Sequence, residues 1–238
     1  MKIFFLLLSV VFYVQAFEIA DSIPHKKNHF TQGLFFADGI LYESTGLYGK
    51  SGLYRYDKNF KIQDSLKLEK QYFGEGSVAI ADEIFLLTWK SNTAFKIDKQ
   101  TFKIKKKYKI PTEGWGITFC NNQIYLSDGS SNLYTVSPEN FNYENTFPIF
   151  YKNIPVQNLN ELECVNNFLY ANIWGSDSIA IIDLNSNQVI RFLDFSEKAT
   201  AIREKDKNAE VLNGMAYDGK FLWITGKLWP YIYKVKIN

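Results

Sequence analysis

The sequence predicts an all-β chain: a five-bladed β-propeller of four-stranded antiparallel blades, its ring closed by an N-terminal strand. Three observations carry this expectation. A short apolar run recurs five times, as Ile40-Leu41-Tyr42, Ile84-Phe85-Leu86, Ile124-Tyr125-Leu126, Phe168-Leu169-Tyr170 and Phe221-Leu222-Trp223, with first residues 44, 40, 44 and 53 positions apart. Each run follows a polar turn, such as Asp38-Gly39, Asn121-Asn122 or Asp218-Gly219, and leads on to another strand-like segment. Finally, 20 Phe, 15 Tyr and 5 Trp against 6 Pro and 2 Met suit pleated surfaces.

Taken in order, residues Met1 to Ala16 read as a signal peptide, with Lys2 at the charged end, an apolar run Ile3 to Val14 and a small-residue cleavage site at Val14-Gln15-Ala16. That run is too short to span a bilayer comfortably. The mature chain is expected to be exported, and residues 17–238 to form one propeller domain. No Asn-x-Ser/Thr sequon offers an N-glycan site. Glu18 to Ile23 then supplies the missing fourth strand of the last repeat, which ends at Asn238; such closure removes an open sheet edge.

Third strands follow at Leu53 to Tyr56, Ala94 to Ile97, Leu133 to Val136, Ile179 to Ile182 and Ile232 to Val235. Lys103, Lys105, Lys106, Lys107 and Lys109 fall on a fourth, outermost strand, where lysines blunt an exposed edge. The long spacing of 53 residues locates an insertion at Ser196 to Ala209, charged and without strand alternation, read as a loop or short helix over one face. A net charge of +2 gives no nucleic-acid footprint. Two histidines, His25 and His29, argue against a zinc cluster, and no cofactor is expected.

In a propeller the first strand of each blade lines the channel and the second runs back beside it, so the start of one and the end of the other open on the same face. Counting back from the shared runs, the first strands open with Gln32, Glu75, Trp115, Asn160 and Asn213. Four are followed by glycine, which lets a neighbouring backbone come close, and the fourth repeat has Glu161 instead. The second strands end at Glu43-Ser44, Thr88-Trp89, Asp128, Asn172 with Trp174, and Thr225 with Lys227. One mouth is therefore expected to gather Gln32, Glu43, Glu75, Trp89, Trp115, Asn160, Glu161, Trp174, Asn213 and Lys227, with four of the five tryptophans at that end. Aromatic walls with convergent polar groups suit a small-molecule or peptide-end pocket. Deeper in the first strands, Phe36, Ile80, Cys120, Cys164 and Tyr217 read as packing. Cys120 and Cys164 hold equivalent positions and are expected to be buried thiols; their alignment does not establish a bridge.

Ten motifs in order resemble the plant- and bacterial-type glutaminyl-peptide cyclotransferases. They are His29 to Leu34 (HFTQGL), Leu41 to Gly49 (LYESTGLYG), Phe73 to Gly76 (FGEG), Leu87 to Lys90 (LTWK), Glu113 to Gly116 (EGWG), Leu126 to Ser130 (LSDGS), Asn158 to Glu163 (NLNELE), Tyr170 to Trp174 (YANIW), Val211 to Gly214 (VLNG) and Thr225 to Pro230 (TGKLWP). The likeness covers nearly the whole mature chain; Ser77-Val78 and Gly175-Ser176 are small departures. It implies a five-bladed propeller enzyme that converts an N-terminal glutamine to pyroglutamate with release of ammonia, without a catalytic metal.

That chemistry assigns expected roles. Glu75, between two glycines and among indoles, becomes the proton shuttle, its pKa raised by desolvation. Lys227, Gln32 and Asn160 orient the amide and stabilise the oxyanion. The tryptophans sandwich the substrate side chain, and Glu43 and Glu161 hold the amine or brace Lys227. The expected partners are peptides or proteins starting with glutamine, met outside the cytosol by a monomer. The competing reading is a non-catalytic propeller that recognises peptide or carbohydrate.

Overall fold

The computed structural model describes residues 17–237; the expected signal segment, Met1 to Ala16, lies outside them. After β1 (Phe17–Pro24), blade one is built from β2 (Thr31–Ala37), β3 (Ile40–Thr45), β4 (Gly52–Tyr56) and β5 (Ile62–Lys67). Blade two comprises β6 (Gly74–Ile80), β7 (Glu83–Thr88), β8 (Thr93–Asp98) and β9 (Ile104–Lys109), and blade three β10 (Ile117–Cys120), β11 (Gln123–Ser127), β12 (Asn132–Val136) and β13 (Tyr143–Pro148). A small hairpin, β14 (Phe150–Tyr151) and β15 (Ile154–Pro155), precedes blade four, which holds β16 (Leu159–Val165), β17 (Phe168–Ile173), β18 (Ser178–Asp183) and β19 (Gln188–Asp194). Helix α1 (Ser196–Lys205) leads to blade five, β20 (Leu212–Tyr217), β21 (Leu222–Gly226) and β22 (Tyr231–Ile237).

Strand β1 completes blade five by pairing antiparallel with β22, from Phe17 opposite Ile237 to Pro24 opposite Tyr231. The first and last strands of the described residues thus share one sheet, which closes the ring. In blades one, three and four the turn between first and second strands is a two-residue loop in which both residues take positive φ: Asp38 and Gly39 (51° and 72°), Asn121 and Asn122 (51° and 62°), Asn166 and Asn167 (50° and 68°). Asn, Asp and Gly tolerate that region, and such turns match the twist of the strands they join.

The core is divided among the blade-to-blade interfaces. Phe85, Leu87, Ile117, Ile124 and Leu126 fill the gap between blades two and three, and Leu133, Leu159, Leu162, Leu169 and Ala180 that between three and four. The insertion is a helix over residues 196–205; Ala199 and Ile202 bury against Phe195 and Phe17. Arg203 forks onto Asp177 at 2.9 and 2.6 Å, fastening the helix to blade four. The lysine-rich segment is β9, the outer edge of blade two.

One expectation is corrected here. Cys120 and Cys164 are not free thiols but a disulfide, with Cα atoms 5.4 Å apart. The cause lies four residues up both strands, at the mouth, where a Cβ on Gly116 would come within 2.0 Å of the Asn160 carbonyl oxygen. The inner strands of blades three and four therefore run nearly in contact, and the same offset brings position 120 to position 164 at bonding distance.

Candidate active site

The residues opening the first strands sit on irregular backbone. Register shifts fall between Thr31 and Gly33, Gly74 and Ser77, Leu159 and Leu162, and Leu212 and Met215. Each bulge spans a predicted site position: Gln32, Glu75, Asn160 and Asn213. A bulge adds a residue that the ladder does not pair and re-aims its side chain, here at the mouth of the channel. Blade three differs because β10 starts late; Trp115 is held just ahead of it, its N–H donating to the Ser127 carbonyl at 2.9 Å. Gly76 is where blade two meets blade three: its N–H donates to the Trp115 carbonyl at 2.8 Å, and a Cβ there would lie 2.7 Å from the same oxygen.

The bulges open on a cavity of about 390 Å³ lined by Phe30, Gln32, Phe73, Glu75, Trp89, Trp115, Asn160, Trp174 and Lys227. Seven of these were expected at the mouth from the sequence; Phe30 and Phe73 were not, although both lie inside quoted motifs, HFTQGL and FGEG. Their rings meet edge to face at 6.1 Å, Phe73 meets Trp89 at 5.5 Å, and Trp115 meets Trp174 at 6.1 Å. Trp174 is 51 % exposed and forms the outer lip.

Glu75 and Lys227 are each only 5 % exposed at the floor of this apolar cavity. The Glu75 carboxylate accepts no hydrogen bond among the described residues. Burial pushes its pKa well above the usual carboxylate range, the Lys227 charge pulls the other way without prevailing, and nearby Glu113 adds to the rise. Burial likewise pushes Lys227 down, against the Glu75 charge that holds it up; its ammonium lies 4.9 Å above the Phe30 ring. An acid and an amine whose pKa values are driven towards each other can pass a proton at modest cost.

The amides are unevenly satisfied. Asn213 Nδ2 donates to the Thr31 carbonyl at 3.0 Å and to Gln32 Oε1 at 3.3 Å, so Gln32 keeps its own N–H donors for the cavity. Asn160 lines the cavity, and its Oδ1 is buried without a hydrogen-bond partner among the described residues. A buried polar atom without a partner costs free energy that a ligand N–H would recover.

Three expected mouth residues are not brought to the cavity. Asn213 stands behind Gln32. Glu161, in the place the other blades give to glycine, reaches across the channel instead, its oxygens accepting from the Leu34 N–H at 3.3 Å and the Met215 N–H at 3.0 Å. Glu43 is wholly buried beside the β1–β2 connection, where it accepts from Thr31 Oγ1 at 2.7 Å and from the Tyr56 hydroxyl, and pairs with His25 Nε2 at 2.9 Å and His29 Nδ1 at 2.7 Å. Neither braces Lys227. The tryptophan count is also corrected: three, not four, line the mouth. Trp229 is buried against Gly226, and Trp223 on blade five packs with Phe60 of blade one.

His25, His29 and Glu43 have the side-chain types of a metal site. Their N···O separations of 2.7 and 2.9 Å are hydrogen-bond lengths, shorter than the about 3.3 Å between two ligands of a tetrahedral zinc ion with bonds of about 2.0–2.1 Å. His25 Nδ1 also faces the Trp229 carbonyl at 2.8 Å. Both ring nitrogens thus meet acceptors, which makes His25 an imidazolium against a carboxylate. A second cavity, about 610 Å³, opens at the other end of the ring beside Asp38, Arg55, Asp82 and Lys99. There Lys99 pairs with Asp38 at 2.7 Å and Arg55 with Asp64.

Fold and cavity together define a propeller with a buried acid on a bulged inner strand and a buried amine after a second strand at one mouth, the build of a substrate-handling propeller rather than an edge-binding scaffold. The chain belongs to the glutamine cyclotransferase family, whose profile matches residues 10–237. It is 34% identical over 231 residues to a glutaminyl-peptide cyclotransferase of Arabidopsis thaliana, covering 94% of this chain and 72% of the relative. The crystal structure of Myxococcus xanthus glutaminyl cyclase superposes with a TM-score of 0.85 at 30% identity, over 93% of this chain and 96% of that one. A virginiamycin B lyase of Staphylococcus aureus, at 17% identity and a TM-score of 0.51 over 87% of this chain and 66% of that one, shares the fold alone.

Proposed function

We propose that the protein is a glutaminyl-peptide cyclotransferase acting on peptides or proteins that begin with glutamine. The observation that carries this reading is the buried Glu75, without a hydrogen-bond donor and facing Lys227 beneath a wall of indoles. The α-amine attacks the γ-carboxamide carbon of its own side chain, closing a five-membered ring. Because both partners lie in one residue, holding the cyclising conformer supplies much of the acceleration, and the flat faces of Trp89, Trp115 and Trp174 suit that task.

Glu75, ionised, takes a proton from the attacking amine as the new C–N bond forms. The charge that develops on the carboxamide oxygen meets the Lys227 ammonium and the Gln32 N–H donors. Asn160 Oδ1 accepts from a substrate N–H and so fixes which end of the amide is oxygen. Glu75 then returns the proton to the departing nitrogen, the old C–N bond breaks, and ammonia leaves. No step needs a Lewis acid, and the reaction is metal-independent in this scheme; His25, His29 and Glu43, the groups of metal-ligand type, are engaged with one another away from the cavity.

A signal peptide at residues 1–16, export and action as a monomer complete the proposal. Among the described residues no helix is long and apolar enough to cross a membrane. Incubation with a Gln-initiated peptide, read by ammonia release and loss of one ammonia in mass, tests the activity. An unchanged peptide would sink it, and activity surviving exhaustive chelation is expected.

A further inference from the structure

Two of the indoles that line the cavity come from different blades, yet they share one anchor. Trp89 follows β7 in blade two and Trp115 precedes β10 in blade three. Trp89 Nε1 donates to Glu113 Oε2 at 2.7 Å and Trp115 Nε1 donates to the same oxygen at 3.0 Å. Lys90 lies 4.2 Å over the face of Trp89, and Trp115 rests on Gly129. An indole has a single N–H, so a hydrogen bond there fixes the rotation that packing on its faces leaves open.

We infer that Glu113 is a positioning residue for the cyclisation: by receiving both indole N–H groups on one carboxylate oxygen it sets the spacing of the slot that takes the substrate's carboxamide side chain. The inference rests on the cyclotransferase reading for its substrate, but its geometry stands apart from the proton chemistry of Glu75 and Lys227. Glu113 does not line the cavity; apart from its charge, which adds to the rise of the Glu75 pKa, it acts through the two rings. What matters is where its oxygen lies, which separates reach from charge. Glutamine at this position keeps an acceptor oxygen at the same reach without the charge, whereas aspartate keeps the charge but is one methylene short.

The test compares Glu113→Gln, Glu113→Asp and Glu113→Ala in two readouts. In the substrate-free protein, acrylamide quenching of tryptophan fluorescence should be near native for Gln and increased for Asp and Ala. With a Gln-initiated peptide on the plateau of the pH profile, KM should stay within about threefold for Gln and rise at least about tenfold for Ala, with Asp in between, since two charge-assisted hydrogen bonds are lost. Because walls grip ground and transition states alike, kcat should change less than KM. Native-like KM and quenching in the Ala variant, or an Asp variant that outperforms Gln, would overturn the inference. A native protein that releases no ammonia would sink the cyclotransferase reading instead and leave the quenching comparison standing.

Discussion

Glu43 and Glu75 are two buried glutamates from neighbouring blades, and the fold uses them in opposite ways. Glu43, at 0 % exposure, is surrounded by donors on both oxygens, and the charges and hydrogen bonds of His25 and His29 overcome burial to hold its pKa well below the usual range. Glu75, as deeply placed, has one cation near it and no donor on it, and there burial wins. Desolvation is common to both, so burial alone does not say what a carboxyl group is for; the donors around it do. Ionised Glu43 stabilises the fold, a contribution present above its unfolded pKa and lost as pH falls through the folded one. Glu75 runs the other way. Its folded state keeps a proton that the unfolded state has released, so stability falls as pH rises from the unfolded value through the folded one.

The largest effect that would break this comparison is on turnover. Glu75→Gln should lower kcat by at least about a hundredfold, the usual share of a general acid–base group, while leaving the melting temperature unchanged or higher. More than about a tenth of native activity in that variant would remove the proton-transfer role. Lys227→Met should lower kcat/KM by about ten- to a thousandfold through loss of oxyanion stabilisation. It should also move the acid limb of the pH profile upward, because Glu75 then loses the one charge pulling its pKa down. An acid limb that stayed still would mean that Lys227 does not face Glu75 in the working enzyme.

Glu43→Gln should do the reverse, costing stability rather than chemistry. Removing one partner of a buried pair leaves the His25 charge uncompensated, which typically costs about 3–5 kcal/mol, or roughly 10 °C in melting temperature for a domain of this size. Assayed well below its melting point, the variant should keep kcat within about tenfold. Some loss is expected, because the connection that Glu43 anchors also touches the Lys227 loop: the Leu228 N–H donates to the His29 carbonyl at 2.8 Å and the His25 N–H to the Pro230 carbonyl at 2.9 Å. A variant with full stability and no turnover would return Glu43 to the active site.

The repeat made the blades, the closing strand and the seven cavity residues legible, because strand alternation and polar two-residue turns are local signals that map onto a propeller directly. What it could not separate is which way a residue at a strand end faces. Glu43 and Glu75 align equally well with the mouth, and the difference arises from His25 and His29, which sit outside the repeat in the β1–β2 connection. Glu161 carried a faint mark, as the one first-strand position without glycine; a longer side chain there has to cross the channel, and it does so to the N–H groups of Leu34 and Met215. Glu113 stood in plain view within EGWG, but its contact with Trp89 joins residues 24 positions apart across two blades. The disulfide escaped for a similar reason: equivalent positions in neighbouring blades can be bonded or merely adjacent, and only the close approach at Gly116 decides.

The smallest expected effect concerns His25, and it sharpens the contrast most finely. Burial lowers its pKa, but the Glu43 charge and the bonds to Glu43 and the Trp229 carbonyl outweigh that, leaving it raised above 6.5. Its contribution is therefore complete below 6.5 and fades as pH rises through the folded value. Glu75 and Glu161, both held high by burial, and Glu163, pushed up to about 8, add losses of the same sign as pH rises from the usual carboxylate value through their folded values. The His25 share is accordingly read as a difference between native protein and His25→Gln, measured as melting temperature against pH. Near pH 6 the variant should be less stable by about 1.5–3 kcal/mol, the scale of a hydrogen bond between charged groups. That gap should narrow as pH climbs, because only the native protein has a proton to lose there. A gap constant across the range would mean that His25 is neutral in the fold, that Glu43 draws its low pKa from elsewhere, and that the two glutamates differ less than their surroundings imply.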